Sequence, residues 1–150
     1  MINKQHIFDI SEKHLNGSHL FTTSVRVEQN NQVKVFIDGD EGVKIEDCVH
    51  LSRTIENILN ESGENFSLDV SSHGATSPLV MPRQYPKHIG REFEVKLNDG
   101  MKAEGFLKAC DESKILLQYS VRQPKPIGKG KITVEKEIEI PYHQIKESKV

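Results

Sequence analysis

The sequence contains little cysteine, few aromatic side chains and no tryptophan. Its 150 residues include two cysteines, and aromatic residues make up 6% of the chain. Cys48 and Cys110 lie in different predicted units, so we interpret them as free thiols rather than as a disulfide framework. No apolar run approaches the roughly 18 residues that a membrane span needs, and no secretory signal is apparent. We therefore expect a cytoplasmic protein without a membrane segment.

Motifs that bind metals, hold phosphate-bearing cofactors or form nucleophile sites are missing as well. The seven histidines are scattered, and neither His-Glu-x-x-His nor Cys-x-x-Cys occurs. The loop from Asp38 to Gly42 begins like a calcium loop, but Val49 stands at the twelfth place, where glutamate is required. Gly128–Lys131 lacks the spacing of a phosphate loop, and no Gly-x-Ser-x-Gly elbow is present. The sequence predicts no enzyme, no metal site and no cofactor.

Charge is divided unevenly along the chain. Residues 1–82 contain 12 acidic and 6 basic residues, a net charge of −6. Residues 83–150 contain 10 acidic and 14 basic residues, a net charge of +4. An asymmetry of this kind often accompanies binding to a charged partner. Two solvated faces of opposite sign would give the same composition, so charge alone does not define a partner.

Apolar periodicity in the first half predicts an α+β unit with the order helix, strand, strand, helix, strand. A first helix is expected to end near Asn16-Gly17, and β-branched residues on both sides of Gln29–Asn31 predict a hairpin. Apolar residues three and four positions apart predict an amphipathic helix over residues 45–61. Alternation over residues 66–70 predicts the last strand. Two helices can then cover one face of a three-stranded sheet.

The stretch from Leu68 to Arg83 joins this unit to the second half of the chain. It begins as a strand, passes through a glycine and two prolines, and ends on a basic residue. We expect an N-terminal domain of residues 1–82, which includes this linker, and a C-terminal domain of residues 83–150. Prolines restrict the angle between domains more than a Gly/Ser linker would. The predicted linker residues are Ser71, Ser72, Gly74, Pro78 and Pro82.

The second half has the pattern of a small β-barrel. Alternating apolar residues predict four strands, over residues 91–97, 101–110, 114–121 and 132–140. A short helical turn and a final stub follow them. Gly105 lies inside the second of these strands, where a glycine indicates a bulge or a sharp bend, and residues 123–131 are expected to form a loop. Short strands joined by tight turns fit an SH3-like or Sm-like barrel.

Basic residues of the second half form the candidate binding site. Three recur every four residues at the end of the linker, and three others occupy the predicted loop: Arg83, Lys87, Arg91, Lys125, Lys129 and Lys131. Loops on a rigid scaffold often carry binding residues. Because aromatic residues are sparse, contact with phosphates or with a protein is favoured over stacking on single-stranded bases. Lysines that only keep a barrel rim soluble are the alternative interpretation.

Short segments spread over nearly the whole chain form an ordered pattern. They are Val35–Asp38, Gly42-Val43, Ile45–Cys48, Leu51–Arg53, Leu68–Ser72, Gly74, Pro78-Leu79, Arg83–Tyr85 and Ile89–Arg91. In this order and spacing they resemble the bacterial ribosome maturation factor RimP family. The chain departs from the family turn at His73 and at residues 75–77, where Ser77 replaces an arginine. Lys44 replaces the Ser/Thr that would cap the second helix.

The resemblance implies a fold, a function and a set of partners. The fold is an N-terminal α+β domain followed by a C-terminal Sm-like barrel. The function is that of a non-catalytic, monomeric, cytoplasmic factor that binds the immature small ribosomal subunit and assists its late maturation. The partners are a ribosomal protein near the decoding region and ribosomal RNA. A free-standing Sm-like RNA-binding regulator is the alternative, and it would bind short RNA directly.

Overall fold

Two sheets, each with its own hydrophobic core, organise the residues that the structure describes, 2–74 and 77–150. The structure is a computed structural model. By the contacts between Cα atoms, the chain divides into two units, residues 1–74 and residues 75–150. The described residues form two α-helices and eight strands, with short 3-10 turns between some of them. The α+β class predicted from the sequence is therefore confirmed.

The first unit contains helices α1 (Lys4–Leu15) and α2 (Ile45–Glu61) and strands β1 (Leu20–Glu28), β2 (Gln32–Gly39) and β3 (Ser67–Ser72). The sheet order is β1-β2-β3, with β1 antiparallel and β3 parallel to β2. The inner faces of both helices pack with alternate strand residues into one core. The predicted order of elements is confirmed, and α2 spans the predicted residues.

Helix α2 begins without an accepting side chain at its N-cap position, Lys44. Asp47 supplies the missing interaction, because its Oδ2 accepts a hydrogen bond from the Lys44 N–H at 2.9 Å. Asp47 also places negative charge in the first turn, where the helix dipole favours it. This is one half of a capping box, and it compensates for the replacement of Ser/Thr at residue 44.

We expect Asp47→Ala to lower the free energy of unfolding of the first unit by about 1 kcal/mol. The change removes both the acceptor for the Lys44 N–H and a favourable charge. Urea unfolding followed by circular dichroism measures the loss. Glu46→Ala is the matched control, since it removes the same charge from the same helical turn. Equal losses in the two variants would show that charge alone, and not the hydrogen bond, stabilises this helix end.

The second unit contains strands β4 (Glu92–Leu97), β5 (Lys102–Cys110), β6 (Lys114–Pro124), β7 (Lys131–Pro141) and β8 (Ile145–Lys149). All pairs are antiparallel in the order β7-β6-β5-β4-β8, so β7 and β8 occupy the two edges. The predicted helical turn before the last strand is a 3-10 turn. The buried core residues are Tyr85, Phe93, Val95, Leu107, Ile115, Leu117 and Ile140.

Glycine 105 has a different role from the predicted one. The register irregularity in β5 lies between Leu107 and Ala109, whereas Gly105 pairs regularly with Phe93. A Cβ atom on Gly105 would lie 2.7 Å from the carbonyl oxygen of Gln118. The glycine is therefore required by the close approach of β6, and the expectation of a bulge at this position was wrong.

The hairpin of β6 and β7 is longer than the sequence predicted. Cross-strand pairing continues through Gln123–Ile132 to Pro124–Lys131, so the loop is limited to residues 125–130. The prolines and glycines of this stretch indicated a loop from residue 123. Beyond Val121, each residue of β6 as far as Pro124 still pairs with a residue of β7. Pro124 is tolerated because it ends the strand.

Residues 77–82 group with the second unit, although the sequence predicted them to belong to the first. The Leu79 N–H donates a hydrogen bond to the Ser148 carbonyl oxygen at 2.9 Å, and the Leu79 side chain packs against the second core. The buried Gln84 side chain accepts hydrogen bonds from the N–H groups of Val80 and Met81 at 2.7 and 3.2 Å. This part of the predicted linker is thus fixed to the β-sheet unit.

The five predicted linker residues are divided between the two units. Ser71 and Ser72 are the last residues of β3, and Gly74 is the last residue of the first unit. Pro78 belongs to the segment described above, and Pro82 begins a 3-10 turn. The divergent turn includes residues 75–76, which lie outside the described residues.

We expect Leu79→Ala to lower the free energy of unfolding of the second unit by about 1 to 2 kcal/mol, because a half-buried leucine loses its contacts with the core. Thermal unfolding followed by calorimetry measures this loss. Val80→Ala is the control, since Val80 is 56% exposed and should change little. If the two variants were equally stable, residues 77–82 would not be an integral part of the second unit.

Candidate nucleic-acid interface

Strand β5 pairs with only the inner part of the β6–β7 hairpin, and the outer part of the hairpin extends beyond β5. Strand β5 pairs with β6 from Cys110–Ile115 as far as Phe106–Gln118, whereas β6 and β7 remain paired up to Pro124–Lys131. Residues 119–136 therefore form a two-stranded ribbon, which we call the basic arm. Six residues of strand at about 3.3 Å each give the arm a length of roughly 20 Å before its loop.

The two faces of the basic arm differ in exposure. Tyr119, Val121 and Gln123 are half-buried, whereas the alternate residues between them are exposed. Val121 pairs across the strands with Val134, which supports the ribbon through an apolar contact pair. Arg122 lies on the exposed face. The half-buried face stabilises the ribbon, and the exposed face presents the Arg122 side chain to solvent.

The loop of the basic arm is closed by backbone contacts. The Lys125 N–H donates a hydrogen bond to the Gly130 carbonyl oxygen at 3.1 Å. Gly128 and Gly130 have φ values of 88° and 101°, in the left-handed region that glycine adopts without strain. Lys125 and Lys129 therefore lie in the loop, and Lys131, which the sequence also placed in the loop, is the first residue of β7. All three stand at the outer end of the arm and are called the loop lysines below.

The cations of the arm differ from the lysines in the body of the sheet. Body lysines form ion pairs, such as Lys114 with Glu139 at 3.0 Å and Lys96 with Glu147 at 3.3 Å; Lys102, Lys108 and Lys149 are paired as well. Within the described part of the chain, all five arm cations lack a carboxylate oxygen within 4.0 Å: Arg122, Lys125, Lys129, Lys131 and Lys136. The arm holds five cations and one carboxylate, a net charge of +4.

The other three candidate residues lie in a separate region. Arg83 and Lys87 belong to two successive 3-10 turns, and Arg91 follows them. The Arg91 carbonyl accepts a hydrogen bond from the Leu107 N–H at 2.9 Å, which places Arg91 in the same row of the sheet as Leu117 of β6. The arm loop begins eight residues farther along the chain, after about 26 Å of strand. The six predicted residues thus form two groups rather than one site.

Sequence reasoning missed two exposed residues of the arm. Arg122 was assigned to no site because the strand was expected to end at Val121, yet it is exposed beside the lysine loop. Ile127, at the tip, is 89% exposed. The alternation of polar and apolar residues in Gln118–Gln123, opposite Ile132–Glu137, was the signal that could have indicated the longer ribbon.

The two thiols are poorly suited to nucleophilic chemistry. Burial raises the pKa of both Cys48 and Cys110, and the neighbouring carboxylates Asp47 and Asp111 raise it further. Each thiol therefore stays protonated at neutral pH, and the thiolate is the reactive form. In the described ranges, 2–74 and 77–150, no group of three or more His, Cys, Asp or Glu side chains is placed to hold a metal ion. No helix of these ranges is long and apolar enough to cross a membrane.

The fold and this surface define a class of protein before any comparison is made. The chain is an α+β protein of two units, and its second unit carries a β-ribbon of five cations and one carboxylate. A surface of this kind attracts phosphate groups or acidic proteins.

Comparisons with known proteins then give the family. Residues 12–76 match the model of the RimP N-terminal domain. A ribosome maturation factor RimP of Christiangramia forsetii is 44% identical over 148 residues, which cover 98% of this chain and 96% of the relative. Proteins of the same name from Flavobacterium psychrophilum and Porphyromonas gingivalis are 37% and 36% identical, over 87% and 99% of this chain and 84% and 97% of the relatives. The chain belongs to the ribosome maturation factor RimP family.

Membership in this family confirms the resemblance found in the sequence and supports a role in ribosome maturation. The relatives are named as maturation factors, which is a non-enzymatic role. A free-standing Sm-like RNA-binding regulator is not favoured by these relatives.

Proposed function

We propose that this protein binds the immature small ribosomal subunit as a cytoplasmic monomer and assists its late assembly through protein and rRNA contacts, without bond chemistry. The observation that carries the proposal is the basic arm, whose loop lysines have no carboxylate partner among the described residues. The names of the relatives place them in ribosome maturation, and an assembling subunit is rich in phosphate.

The lysines of the arm loop contact the phosphate backbone of ribosomal RNA in this proposal. A lysine without an ion pair loses no protein contact when it binds a phosphate, whereas a body lysine such as Lys114 must leave Glu139. Neutralising phosphates releases condensed counterions, so the affinity falls steeply as salt rises. Contacts of this type position a protein but do not read base sequence. The arm therefore anchors the factor, and the recognition of an immature particle requires further contacts.

Arg83, Lys87 and Arg91 form the second proposed contact region, at a distance from the arm along the sheet. Two of these cations stand in short 3-10 turns, where the backbone holds them at fixed positions. These cations contact RNA phosphates in the same way, and a ribosomal protein near the decoding region is the other partner. The acidic first unit, with a net charge of −6, either contacts basic protein or orients the factor by repelling RNA.

The second unit is proposed to be a small Sm-like or SH3-like barrel. Its support is the run of five antiparallel strands, the irregularity between Leu107 and Ala109, and the 3-10 turn Tyr142–Gln144 before the last strand. Irregularities of this kind curl a sheet. The boundary between the two domains follows Gly74, with the Pro78–Pro82 segment acting as part of the barrel unit.

Co-sedimentation of the purified protein with small subunits from its own cell tests the proposal. At low salt we expect binding to immature particles that exceeds binding to mature ones and that decreases as salt rises. Absence of binding to both kinds of particle at low salt would overturn the proposal. Light scattering tests the monomeric state, and a ring-forming protein that binds short RNA directly would instead support the Sm-like regulator.

A further inference from the structure

A groove of about 380 Å³ runs between helix α2 and strand β3 in the first unit. Ile45, Val49 and Glu56 of the helix line one wall, and residues 68–70 of the strand line the other. The groove is separate from the basic arm, which belongs to the second unit. Its shape combines a helix wall with a strand wall, which is the arrangement that domains binding extended peptides use.

The strand wall of the groove is a free sheet edge. In the described chain β3 pairs with β2 alone, in an uninterrupted register from Gln32–Ser67 to Ile37–Ser72. Exposed edges are usually blunted by proline, lysine or a bulge. The six residues of β3 contain no proline and no lysine, and their register has no bulge. Its outer N–H and C=O groups are therefore available to pair with another extended chain.

The helix wall of the groove exposes apolar side chains. Ile45 is 86% exposed and Val49 is 39% exposed, although both belong to the helix that forms the first core. They are one turn apart on α2, and therefore on one face of the helix. Leu68 and Val70, across the groove, are partly buried against the core. An occupant of the groove would cover Ile45 and Val49 and remove apolar surface from water.

The charge of the groove selects the kind of occupant. Glu56 and Asp69 line it, and within residues 2–74 and 77–150 neither forms an ion pair. Arg53 is the one basic residue in the lining, and the unit as a whole has a net charge of −6. Positive charge is therefore attracted to this surface. A second copy of the chain would instead bring Asp69 towards an identical acidic edge.

We propose that the groove binds an extended segment of a basic polypeptide, which adds to β3 as a fourth strand. Alternate apolar side chains of this segment pack against Ile45 and Val49 on the helix side of the sheet, and its cationic side chains face Asp69 on the opposite side. Glu56 of the helix adds negative charge to the same groove. Backbone hydrogen bonds to the β3 edge supply affinity, and the apolar and acidic walls supply selectivity. The inference gives a site for the contact between the acidic first unit and basic protein, and in that respect it rests on the proposed function; it depends on neither the basic arm nor RNA.

A synthetic peptide of eight residues, alternating lysine and valine, is the probe for this site. Titration of the full-length protein, followed by amide resonances in NMR, should shift the signals of β3 and of the first turn of α2. A peptide in which glutamate replaces every lysine should bind at least roughly tenfold more weakly at low salt, because its charge opposes that of the unit. A lysine–valine peptide with alternate N-methylated amides should lose binding, since it cannot complete a strand.

Variants locate the two parts of the site. Ile45→Gln together with Val49→Gln should weaken binding of the lysine–valine peptide about tenfold, because the apolar wall is lost. Ile58→Gln is the matched control: Ile58 is also on α2 and 37% exposed, but it lines a different groove. Asp69→Asn with Glu56→Gln should reduce the affinity about fivefold and flatten its salt dependence. Glu61→Gln, on the same helix, is the charge control.

Several results would overturn the inference. One is the absence of binding up to about 1 mM lysine–valine peptide. Another is an equal affinity for the glutamate peptide, and a third is that the resonances of β3 do not shift. Concentration-dependent dimerisation that Asp69→Lys abolishes would assign the edge to a second copy of the chain instead. The variant that lacks Lys125, Lys129 and Lys131 should bind the peptide normally, so a failure of this site is distinguishable from a failure of the proposed function.

Discussion

Replacing Lys125, Lys129 and Lys131 by alanine is expected to weaken binding to immature small subunits by roughly tenfold to a hundredfold at physiological salt. Each lysine that contacts a phosphate contributes about one unit to the slope of log affinity against log salt, so the slope should fall by up to about three. The reason is that these lysines stand at the outer end of a ribbon without carboxylate partners in the described chain. Sedimentation over a range of salt concentrations measures both quantities.

The matched control replaces Lys102, Lys108 and Lys114 by alanine. This change removes the same charge from the same unit, but these lysines are paired with Glu94, Glu137 and Glu139 in the body of the sheet. Exposed ion pairs contribute little to stability, so the control variant should remain folded. If both triple variants lost affinity equally, net charge rather than the arm would explain binding. An unchanged slope in the arm variant would show that these lysines only keep the protein soluble.

Gly105→Ala is expected to lower the free energy of unfolding of the second unit by about 2 kcal/mol, which for a unit of this size is a fall in Tm of roughly 10 °C. The new Cβ would lie 2.7 Å from the Gln118 carbonyl oxygen and 3.5 Å from the Leu117 Cβ. Gln118 is paired to both β5 and β7, so its backbone cannot move without disturbing two strands. Calorimetry of the variant and of the unaltered protein measures the effect.

Glu104→Ala is the control for this substitution, because residue 104 is the neighbouring exposed position of the same strand. We expect Glu104→Ala to change Tm by only a degree or two. A Gly105→Ala variant as stable as this control would show that β5 and β6 can separate at no cost. The account of Gly105 as a point of close approach would then be incorrect.

Local sequence patterns predicted the first unit well, for physical reasons. Helix α2 carries Leu51, Ile55 and Leu59 at helical spacing, all buried, and its bounds agree with the prediction. The hairpin of β1 and β2 followed from a turn in which Asn30 and Asn31 have positive φ values, which asparagine tolerates better than most residues. In both cases the information lies within a few consecutive residues. The cap at Asp47 also follows a local rule, which the sequence analysis did not apply.

Features of the second unit that depend on contacts between distant residues were not predictable in this way. The length of the arm depends on pairs such as Gln123–Ile132, which local proline and glycine signals concealed. The purpose of Gly105 depends on the approach of Gln118. The attachment of Leu79 depends on Ser148, near the other end of the chain. Each of these requires knowledge of which strands are neighbours.

The candidate site was predictable as a set of residue types but not as a geometry. The lysine loop was identified from its composition; the structure places Lys125 and Lys129 in the loop and Lys131 at the first position of β7. Arg83, Lys87 and Arg91 looked equivalent in sequence, yet they lie in another part of the sheet. The groove beside β3 gave no sequence signal, because an unpaired edge is visible only once the strand order is known.

Photo-crosslinking from the arm tip tests the central claim most directly. Ile127 is 89% exposed between the loop lysines, so a diazirine-bearing residue can replace it without disturbing a core. With immature small subunits bound, we predict crosslinks from position 127 to the RNA of the particle, and none from the same group at Ile58, which is 37% exposed on α2 of the acidic first unit. A bound protein that crosslinks to RNA from position 58 but not from position 127 would contradict the claim that the basic arm makes the anchoring contact.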